Sequence, residues 1–486
     1  MPANSRYRPD PCHQTLGPLF YDPVQAATFP DHILRYRNER AGARVGLDTL
    51  TDAEWLNHFG HFEPLPDNLT QPLALRYHGH QFRSYNPDLG DGRGFLFAQL
   101  RDFESGRLLD LATKGSGQTP YSRFGDGRLT LKGGVREVLA TEYLEALGVE
   151  TSKSFSLIET GEKLVRNDEP SPTRSAVLVR LGHSHVRFGT FQRLAYHGER
   201  DAIARLVDYA IEMYWPEARG APDPRAALFA CACEACGQLA GEWYAAGFVH
   251  GVLNTDNTLI TGESFDYGPW RWLPELDVGF TAAYFDQTGL YAFGRQPTAL
   301  HWNLQRLAEC LVGLTSREAL VAELERFAKA FETRLAEVTI ARLGLAVTDT
   351  ARATERVVKP FYQALHDTKV PFEQAIFDWF GGGVRERLEA SPSAEAYRGE
   401  PWSTVASALS ELTPHHLAAK RLTDPYFRQT RPETMLYDEV EAIWQPIAAR
   451  DDWSIFAQKI ASLHRVGAAY ADLVPPRQRP VITGGS

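Results

Sequence analysis

The pattern of hydrophobic and polar residues changes in character near residue 200. Short runs rich in β-branched and aromatic residues, separated by Gly/Asp turns, predict strands at LALRYHG, FLFAQLRD, LLDLATKG, SFSLIETG, EKLVRN and SAVLVRLG. Between the third and fourth runs, apolar residues recur at four-residue steps and predict a helix over about 132–147. After about residue 201 the pattern is helical almost throughout, as in DAIARLVDYAIEMYW and REALVAELERFAKAF.

This order of elements predicts the fold class. A mostly β part followed by a mostly α part is typical of an α+β fold, whereas alternating strands and helices would indicate a doubly wound sheet. We therefore expect a β-rich N-lobe, a helical C-lobe and a cleft between them. The expected boundaries are an N-terminal extension over 1–70, the N-lobe over 71–195, the C-lobe over 196–345 and a C-terminal helical extension over 346–486.

Composition and charge exclude several classes of function. The 486 residues are 43% hydrophobic and 23% charged, and no apolar run reaches the roughly 18 residues of a membrane span, so we expect a soluble protein without a membrane partner. The net charge of -10 argues against a nucleic-acid partner. The first residues lack the apolar core of a signal peptide, which favours a cytoplasmic location, and five thinly spread cysteines predict no disulfide framework.

The segment HGVLNTDN, residues 250–257, resembles a kinase-type catalytic loop with one change. Val252 stands where such loops carry the carboxylate base, and Asn257 keeps the five-residue spacing to the metal-binding amide. Asp266, in the sequence DYG, matches the metal aspartate of kinases. Asp256 is then the candidate base, while Asn257 and Asp266 provide the hard oxygen ligands that Mg²⁺ prefers. The alternative interpretation is an Asn/Asp-rich loop that caps a helix.

Lys114 and Glu137 occupy the positions of a second kinase feature. Lys114 ends a predicted strand and Glu137 lies on the helix that follows, which is the order of the strand lysine and helix glutamate that hold nucleotide phosphates. The alternative is an exposed lysine at a strand end and a glutamate that faces solvent.

Glycine turns and arginines complete the candidate site. The repeated sequence GDGR places Gly90, Gly92 and Arg93 in one turn and Asp126 and Gly127 in the other; glycine lets backbone amides approach a phosphate, although tight hairpin turns are the alternative.

Two arginines lie seven residues apart in the segment LVRLGHSHVRFG. Arg180 and Arg187 could together neutralise a terminal phosphate, or could be ordinary surface charges. His183 and His185, between them, indicate a polar turn rather than a metal site.

These motifs together resemble one protein family. KGSGQTPYSRFGDGR, HGVLNTDN, DYGPW and YAFGRQPTALHWNLQRLA are similar to the selenoprotein O (YdiU-type) family, over residues 75–310 or so. The resemblance implies a protein-kinase-like fold that binds ATP in a flipped orientation and transfers AMP to Ser, Thr or Tyr hydroxyls of protein substrates. It implies Asp256 as the catalytic base, with Mg²⁺, or Mn²⁺ as the alternative, held by Asn257 and Asp266. It also implies a nucleotide pocket built from Gly90, Gly92, Arg93, Lys114, Asp126, Gly127, Glu137, Arg180, Arg187 and Asp266.

The chain departs from the family pattern at one point. Members often carry a selenocysteine or cysteine near the C-terminus that is able to pair with a cysteine after the metal loop, whereas this chain ends ITGGS and has Thr281-Ala282-Ala283 after Phe280. This departure puts redox control through such a pair in doubt. Two other functions remain open from the residues: phosphorylation of a protein or small molecule, and nucleotide binding without catalysis, which Val252 would favour.

Overall fold

The computed structural model describes residues 4–346 and 349–480 and combines many helices with one large antiparallel sheet. The strands are β1 (Tyr21–Pro23), β2 (Ile33–Arg37), β3 (Leu73–Leu75), β4 (Gly79–Gln81), β5 (Ser84–Asn86), β6 (Leu96–Arg101), β7 (Leu108–Lys114), β8 (Leu129–Thr130), β9 (Lys153–Leu164), β10 (Thr173–Gly182), β11 (Phe248–Val249) and β12 (Arg271–Trp272). The helices are α1 (Glu39–Val45), α2 (Asp52–Phe59), α3 (Leu131–Ala146), α4 (Phe188–Tyr196), α5 (Arg200–Met213), α6 (Pro224–Ala245), α7 (Gln296–Leu311), α8 (Arg317–Leu324), α9 (Arg326–Arg342), α10 (Thr350–Ala353), α11 (Lys359–Thr368), α12 (Phe372–Asp378), α13 (Phe380–Gly383), α14 (Arg385–Ala390), α15 (Glu400–Ser410), α16 (Ala418–Arg421), α17 (Tyr437–Arg450) and α18 (Ser454–Tyr470).

The large sheet contains most of the strands before residue 183. Its order is β1-β3-β6-β7-β10-β9-β2, with β8 paired to β10, and the pairs are antiparallel. The edge strands β1 and β2 both come from the segment expected to be an extension, so this segment is part of the sheet itself. The predicted mix of a strand-rich first part and a helical second part is confirmed, and the structure adds that the sheet is antiparallel. The two-lobed division and its boundaries stay predictions.

Helices cover the sheet on both sides and fix its position. On one side, Trp55 and Phe59 of α2 pack against Phe155 of β9, with the Trp55 and Phe155 rings stacked at a centroid distance of 4.7 Å. Helix α2 begins at a capping box in which Thr51 and Glu54 satisfy each other's backbone amides. On the other side, α3 packs on β9 and β10, and its apolar residues form a continuous core with α5–α7 and α18.

Helix α6 is the centre of the helical half because its small residues allow close packing. A Cβ atom at Gly237 would lie 2.5 Å from Phe327 O, and one at Gly241 would lie 2.8 Å from Leu335 N, so the backbones of α6 and α9 nearly touch. Cys231, Cys233 and Cys236 are buried free thiols in the same helix. Burial raises the pKa of Cys236 to about 12, as expected for packing residues.

Helices after residue 349 pack against α9 and α3. Helices α10–α12 and α15 contribute to a second apolar core with α9. Helices α17 and α18 lie against α3, and the chain then continues as an extended tail over 471–480. In the described part of the chain, no helix is long and apolar enough to cross a membrane.

Candidate active site

Strand β7 and helix α3 bring Lys114 and Glu137 into direct contact. Lys114 is the last residue of β7, and its ammonium contacts the Glu137 carboxylate from the second turn of α3. Both side chains are buried. The surface alternative for this pair is wrong, because a solvent-exposed lysine would not be held between the sheet and a helix. The pair thus links the sheet to α3.

Two buried arginines and Lys114 surround Asp266. Lys114 Nζ and Arg180 Nη1 lie 2.9 Å and 3.0 Å from Asp266 Oδ1, and Arg187 Nη1 lies 3.8 Å from Oδ2. Burial alone would raise the pKa of Asp266, but the three cations outweigh it and hold the pKa well below its usual range. Asp266 is therefore an anion at any physiological pH.

Phe265 fixes the two guanidinium groups in place. Arg180 and Arg187 stack on its buried ring at 4.5 Å and 4.7 Å, and Arg187 also lies 4.1 Å from the centroid of the Tyr77 ring. Arg187 donates hydrogen bonds to Asp91 Oδ1 at 3.2 Å and to the backbone oxygen of Asp256 at 2.9 Å. These contacts hold each guanidinium group on one side, while the other side faces the cavity.

The loop over 250–257 places Asp256 in a buried position that faces the cavity. Burial raises the pKa of Asp256 to about 6, and the nearby Arg187 charge opposes this shift. Its Oδ1 atom is buried and has no hydrogen-bond partner among the described residues. His250 Nε2 lies 2.8 Å from Phe265 O and so ties this loop to the segment that carries Asp266. A buried carboxylate with a free oxygen and a pKa near neutrality can accept a proton.

The donor chemistry around Asp266 suits a magnesium ion. Asn257 donates from Nδ2 to Val252 O at 3.1 Å, which turns its amide oxygen away from that bond and leaves it for another partner. Asp266 is ionised, and Asp256 adds an unpaired oxygen. These are hard oxygen donors of the kind that Mg²⁺ binds. Among the residues described, no group of three or more His, Cys, Asp and Glu forms a metal site by itself, so water or phosphate oxygens would supply the remaining ligands of such an ion.

The two GDGR turns both line the cavity and are held by close contacts with the chain around them. A Cβ atom at Gly90 would lie 2.3 Å from the Tyr121 ring, so only glycine fits beneath that side chain. Gly127 has φ of +71°, and a Cβ there would collide with the backbone of Gly117. Asp126 pairs with Arg166 at 2.8 Å, which anchors the second turn to the β9–β10 hairpin.

One cavity of about 610 Å³ joins these groups, which is large enough for a nucleotide. Seven cationic and four acidic side chains line it, although the whole chain carries a net charge of -10. The cationic residues are Arg93, Lys114, Arg123, Arg128, Arg166, Arg180 and Arg187, and the acidic residues are Asp91, Asp126, Asp256 and Asp266. The protein therefore concentrates positive charge at this place, as binding of a polyphosphate requires.

Most residues expected in the site line this cavity. Gly90, Gly92, Arg93, Lys114, Asp126, Gly127, Arg180, Arg187, Asp256 and Asp266 all do so. Glu137 and Asn257 lie outside its wall: Glu137 contacts Lys114, and Asn257 donates a hydrogen bond to Val252 within its own loop. Their placement is compatible with the expected roles but leaves the roles themselves as predictions.

Sequence reasoning missed several lining residues. Asp91 and Arg128 belong to the GDGR turns, so the repeat itself was a signal for them. Tyr121 and Phe124 lie in the segment between Lys114 and the second turn. No sequence pattern marks Arg166 as a cavity residue. It lies in the turn between β9 and β10, and the pairing of these two strands brings it to the cavity.

Comparison with known proteins identifies the family. A family model described as "Protein adenylyltransferase SelO" matches residues 4–464. The chain belongs to the SelO family. One relative with the name "Protein nucleotidyltransferase YdiU", from Synechocystis, is 44% identical over 478 residues and covers 93% of this chain and 97% of the relative. Relatives of the same name from Gloeobacter violaceus (43% identical, 94% and 95% covered) and Cereibacter sphaeroides (35% identical, 90% and 93% covered) also match along their length.

The SelO family is one of protein nucleotidyltransferases, so this chain is an enzyme of that class. The resemblance inferred from the motifs is confirmed. The class also agrees with the cavity, since a nucleotidyltransferase of this family takes ATP as its nucleotide and the cationic wall suits a triphosphate. The family match spans the β-rich part, the catalytic loop and most of the C-terminal helices.

Proposed function

We propose that this SelO-family enzyme transfers AMP from ATP to the hydroxyl groups of Ser, Thr or Tyr side chains in protein substrates. ATP would bind in a flipped orientation, with its β- and γ-phosphates deepest and its adenosine toward the mouth. In this proposal the segments 71–195 and 196–345 form the two lobes of a protein-kinase-like fold, with the nucleotide between them.

The main support is the burial of Arg180 and Arg187 at the inner end of the cavity. A conventional kinase orientation would put the purine in an inner, apolar position. Two guanidinium groups and the Lys114 ammonium make a poor environment for a purine, because a neutral ring offers these N–H donors no anionic acceptor in addition to Asp266. They suit phosphate oxygens, which accept bidentate hydrogen bonds from arginine. This charge distribution supports the flipped orientation that we propose.

Asp256 is the candidate base for the acceptor hydroxyl. Its carboxylate would take the hydroxyl proton while the hydroxyl oxygen attacks the α-phosphorus. The bond between the α-phosphorus and its bridging oxygen breaks, and pyrophosphate leaves with the electron pair. Lys114, Arg180 and Arg187 would offset the charge that grows on this leaving group. The acceptor oxygen, the phosphorus and the leaving oxygen must lie nearly in line.

Asp266 and Asn257 would hold a Mg²⁺ ion, with Mn²⁺ as the alternative. The ion, when bound, supplies neutralisation of phosphate charge. Lys114 and Arg180 keep Asp266 ionised for this role. Glu137 keeps the Lys114 ammonium beside Asp266 rather than free to turn toward solvent.

The test compares ATP labelled at the α-phosphate with ATP labelled at the γ-phosphate, with a bulk protein acceptor such as casein, and with the enzyme itself as a further acceptor. Label on protein from the α-position only, with one AMP moiety per modified side chain in the mass spectrum, supports the proposal. Label from the γ-position would instead indicate a kinase. Binding of ATP with neither label transferred, for any acceptor tried, would indicate a nucleotide-binding protein without catalysis.

A further inference from the structure

Residues 475–479 of the tail run along helices α6 and α9. Their backbone accepts two hydrogen bonds there, from Arg334 to Pro475 O at 2.7 Å and from Gln238 to Gln478 O at 3.1 Å. Side chains add further contacts, including the one between Arg479 and Glu217 at 2.5 Å. The tail is thus attached at several points to the helical half, and it places one side chain in the interior.

That side chain is Arg477, which lies between α6 and the segment that leads to Asp266. Its Nε and Nη2 donate to the two oxygens of Glu242 at 2.9 Å and 2.6 Å, and its Nη1 donates to Gly262 O at 2.9 Å. Only 15% of the side chain is exposed. A guanidinium group is suited to this position, because its planar fork reaches a carboxylate and a carbonyl oxygen at once.

Gly262 is four residues before Asp266, and its position leaves little freedom. Its φ is +62°, and a Cβ atom would lie 2.7 Å from the backbone of Ala235 in α6, so the chain passes directly over that helix. Ser264 then pairs with the segment before β9, through Ser264 N to Glu150 O at 2.9 Å and Ser152 N to Ser264 O at 3.0 Å. The segment 262–264 is therefore fixed by α6, by this pairing and by Arg477.

Asp266 follows this fixed segment closely in the chain. Its φ of +61° is in the left-handed region, which aspartate adopts more readily than most residues other than glycine but still at a cost in free energy. Lys114 and Arg180 hold its side chain from the cavity side. On the other side, the chain that leads to it is held by the contacts of Gly262 and Ser264.

We propose that Arg477 is a positioning residue for nucleotidyl transfer. It holds the Gly262 backbone so that Asp266 presents its carboxylate to the metal and nucleotide, although Arg477 itself touches neither. This inference rests on the proposed function, in which Asp266 is a metal ligand. Arg334 also binds Glu242, at 3.0 Å, so the buried carboxylate keeps one cationic partner when Arg477 is replaced and the fold is expected to persist.

The experiment uses the full chain with Arg477→Gln, and Arg479→Gln as the matched control. Arg479 lies on the same tail, but its side chain is 64% exposed and bonds a different glutamate. Two readouts are needed. The first is kcat and KM for ATP; the second is calorimetric binding of a non-hydrolysable ATP analogue with and without Mg²⁺. The second readout does not depend on turnover.

For Arg477→Gln we expect kcat to fall at least about tenfold with KM for ATP within about threefold, since a small displacement at the reacting centre is costly. The gain in analogue affinity that Mg²⁺ provides should shrink, while binding without Mg²⁺ stays as in the wild type. Arg477→Lys, which keeps the charge but cannot reach Glu242 and Gly262 together, should recover part of both. Arg479→Gln should match the wild type in both readouts.

Several outcomes would overturn the proposal. Normal kcat and a normal Mg²⁺ effect in a folded Arg477→Gln protein would do so, as would equal losses in the Arg479→Gln protein. If Arg477→Gln does not fold, Arg477→Lys takes its place. An intermediate loss of kcat and of the Mg²⁺ effect then supports the proposal, and wild-type values of both overturn it. Asp266→Asn is the reference variant for the metal site. If Asp266→Asn leaves the Mg²⁺ effect intact, the metal site of the proposed function is wrong. If Asp266→Asn removes the effect while Arg477→Gln does not, only the role of Arg477 is wrong.

Discussion

Lys114 Nζ lies 2.9 Å from Asp266 Oδ1, and the same ammonium contacts Glu137. One cation therefore joins the sheet, helix α3 and the segment that carries Asp266. Arg180 donates to the same oxygen of Asp266 at 3.0 Å. The candidate metal ligand is thus ionised and oriented by residues from two neighbouring strands of the sheet, β7 and β10. This arrangement leads to the first prediction.

Replacement of Lys114 by methionine should lower kcat/KM for AMP transfer by about 100-fold, because one of the fixed charges facing the leaving pyrophosphate is lost. The transfer of label from α-labelled ATP measures this. Lys132→Met is the control, since Lys132 also contacts a glutamate, Glu441, but lies outside the cavity. Equal rates of label transfer in the two variants would contradict a role for Lys114 in AMP transfer.

The rate of transfer should depend on the ionisation of Asp256. A base must be deprotonated to accept the hydroxyl proton, and burial raises the pKa of this carboxyl to about 6. We therefore expect kcat/KM to rise with pH through about 6 and then to level off. Asp256→Asn should lower kcat by at least about 100-fold and abolish this step in the profile. A pH profile that is flat from pH 5 to 8 in the wild type would contradict the role of Asp256; those limits are roughly one to two units on either side of the expected pKa.

The same residue should reduce the stability of the protein. Because the pKa of Asp256 is higher in the folded state than its ordinary value of 3.8, the folded state binds more protons between about pH 4 and pH 6. This contribution to stability is present at low pH and is lost as the pH rises through 6. Asp256→Asn should then raise the free energy of unfolding at pH 7, by at most about 3 kcal/mol. Chemical denaturation at pH 7 and pH 4.5 measures the difference, which should be smaller at the lower pH.

Restoring an aspartate at Val252 should not improve the enzyme. In the proposed flipped orientation, the γ-phosphate lies beside Arg180 and Arg187, so a carboxylate at position 252 has no phosphoryl group to serve. We expect Val252→Asp to give no increase in AMP transfer and no transfer of γ-label, with Val252→Asn as the control for the polar substitution. A gain of kinase activity in the aspartate variant alone would argue for the conventional orientation of ATP.

Close packing of α6 on α9 should be sensitive to one methyl group. At Gly241 an added Cβ would lie 2.8 Å from Leu335 N and 2.9 Å from Phe331 O, which are backbone atoms that cannot move aside. Gly241→Ala should therefore destabilise the protein by about 1–3 kcal/mol. Gly220→Ala is the matched control, since no atom lies within 4 Å of its Cβ position. Thermal unfolding of both variants, followed by circular dichroism, tests the difference.

The sequence predicted those parts of the molecule whose signals are local. The helix expected over 132–147 is α3, which is one residue displaced at each end, and the runs around LFAQLR and LLDLATK are β6 and β7. Lys114 and Glu137 could be recognised because a strand and the following helix are close in the chain. The segment over 250–257 and the DYG segment that begins at Asp266 are likewise each contained in a few consecutive residues, so the sequence singles them out, while their catalytic and metal-binding roles stay predictions.

Features that depend on distant partners were missed. SFSLIETG and EKLVRN were expected as two strands, but they form the single strand β9, because Gly161 with φ of +74° bends the chain without ending it. Strands β1 and β2 are short and have no clear alternation, and they exist through pairing with β3 and β9. The contacts of Arg477 are made more than 200 residues away along the chain. No local pattern encodes such pairings.

Strands β1 and β2 occupy opposite edges of the sheet although both lie within the first forty residues. During synthesis, β2 has no partner until β9 leaves the ribosome, more than 100 residues later. Strand β2 must therefore remain unpaired for that time. A shortened protein that starts at residue 71 would retain the cavity residues but expose the backbone edges of β3 and β9. Unpaired edges of this kind invite association between molecules, so a minimal catalytic fragment must keep the first forty residues.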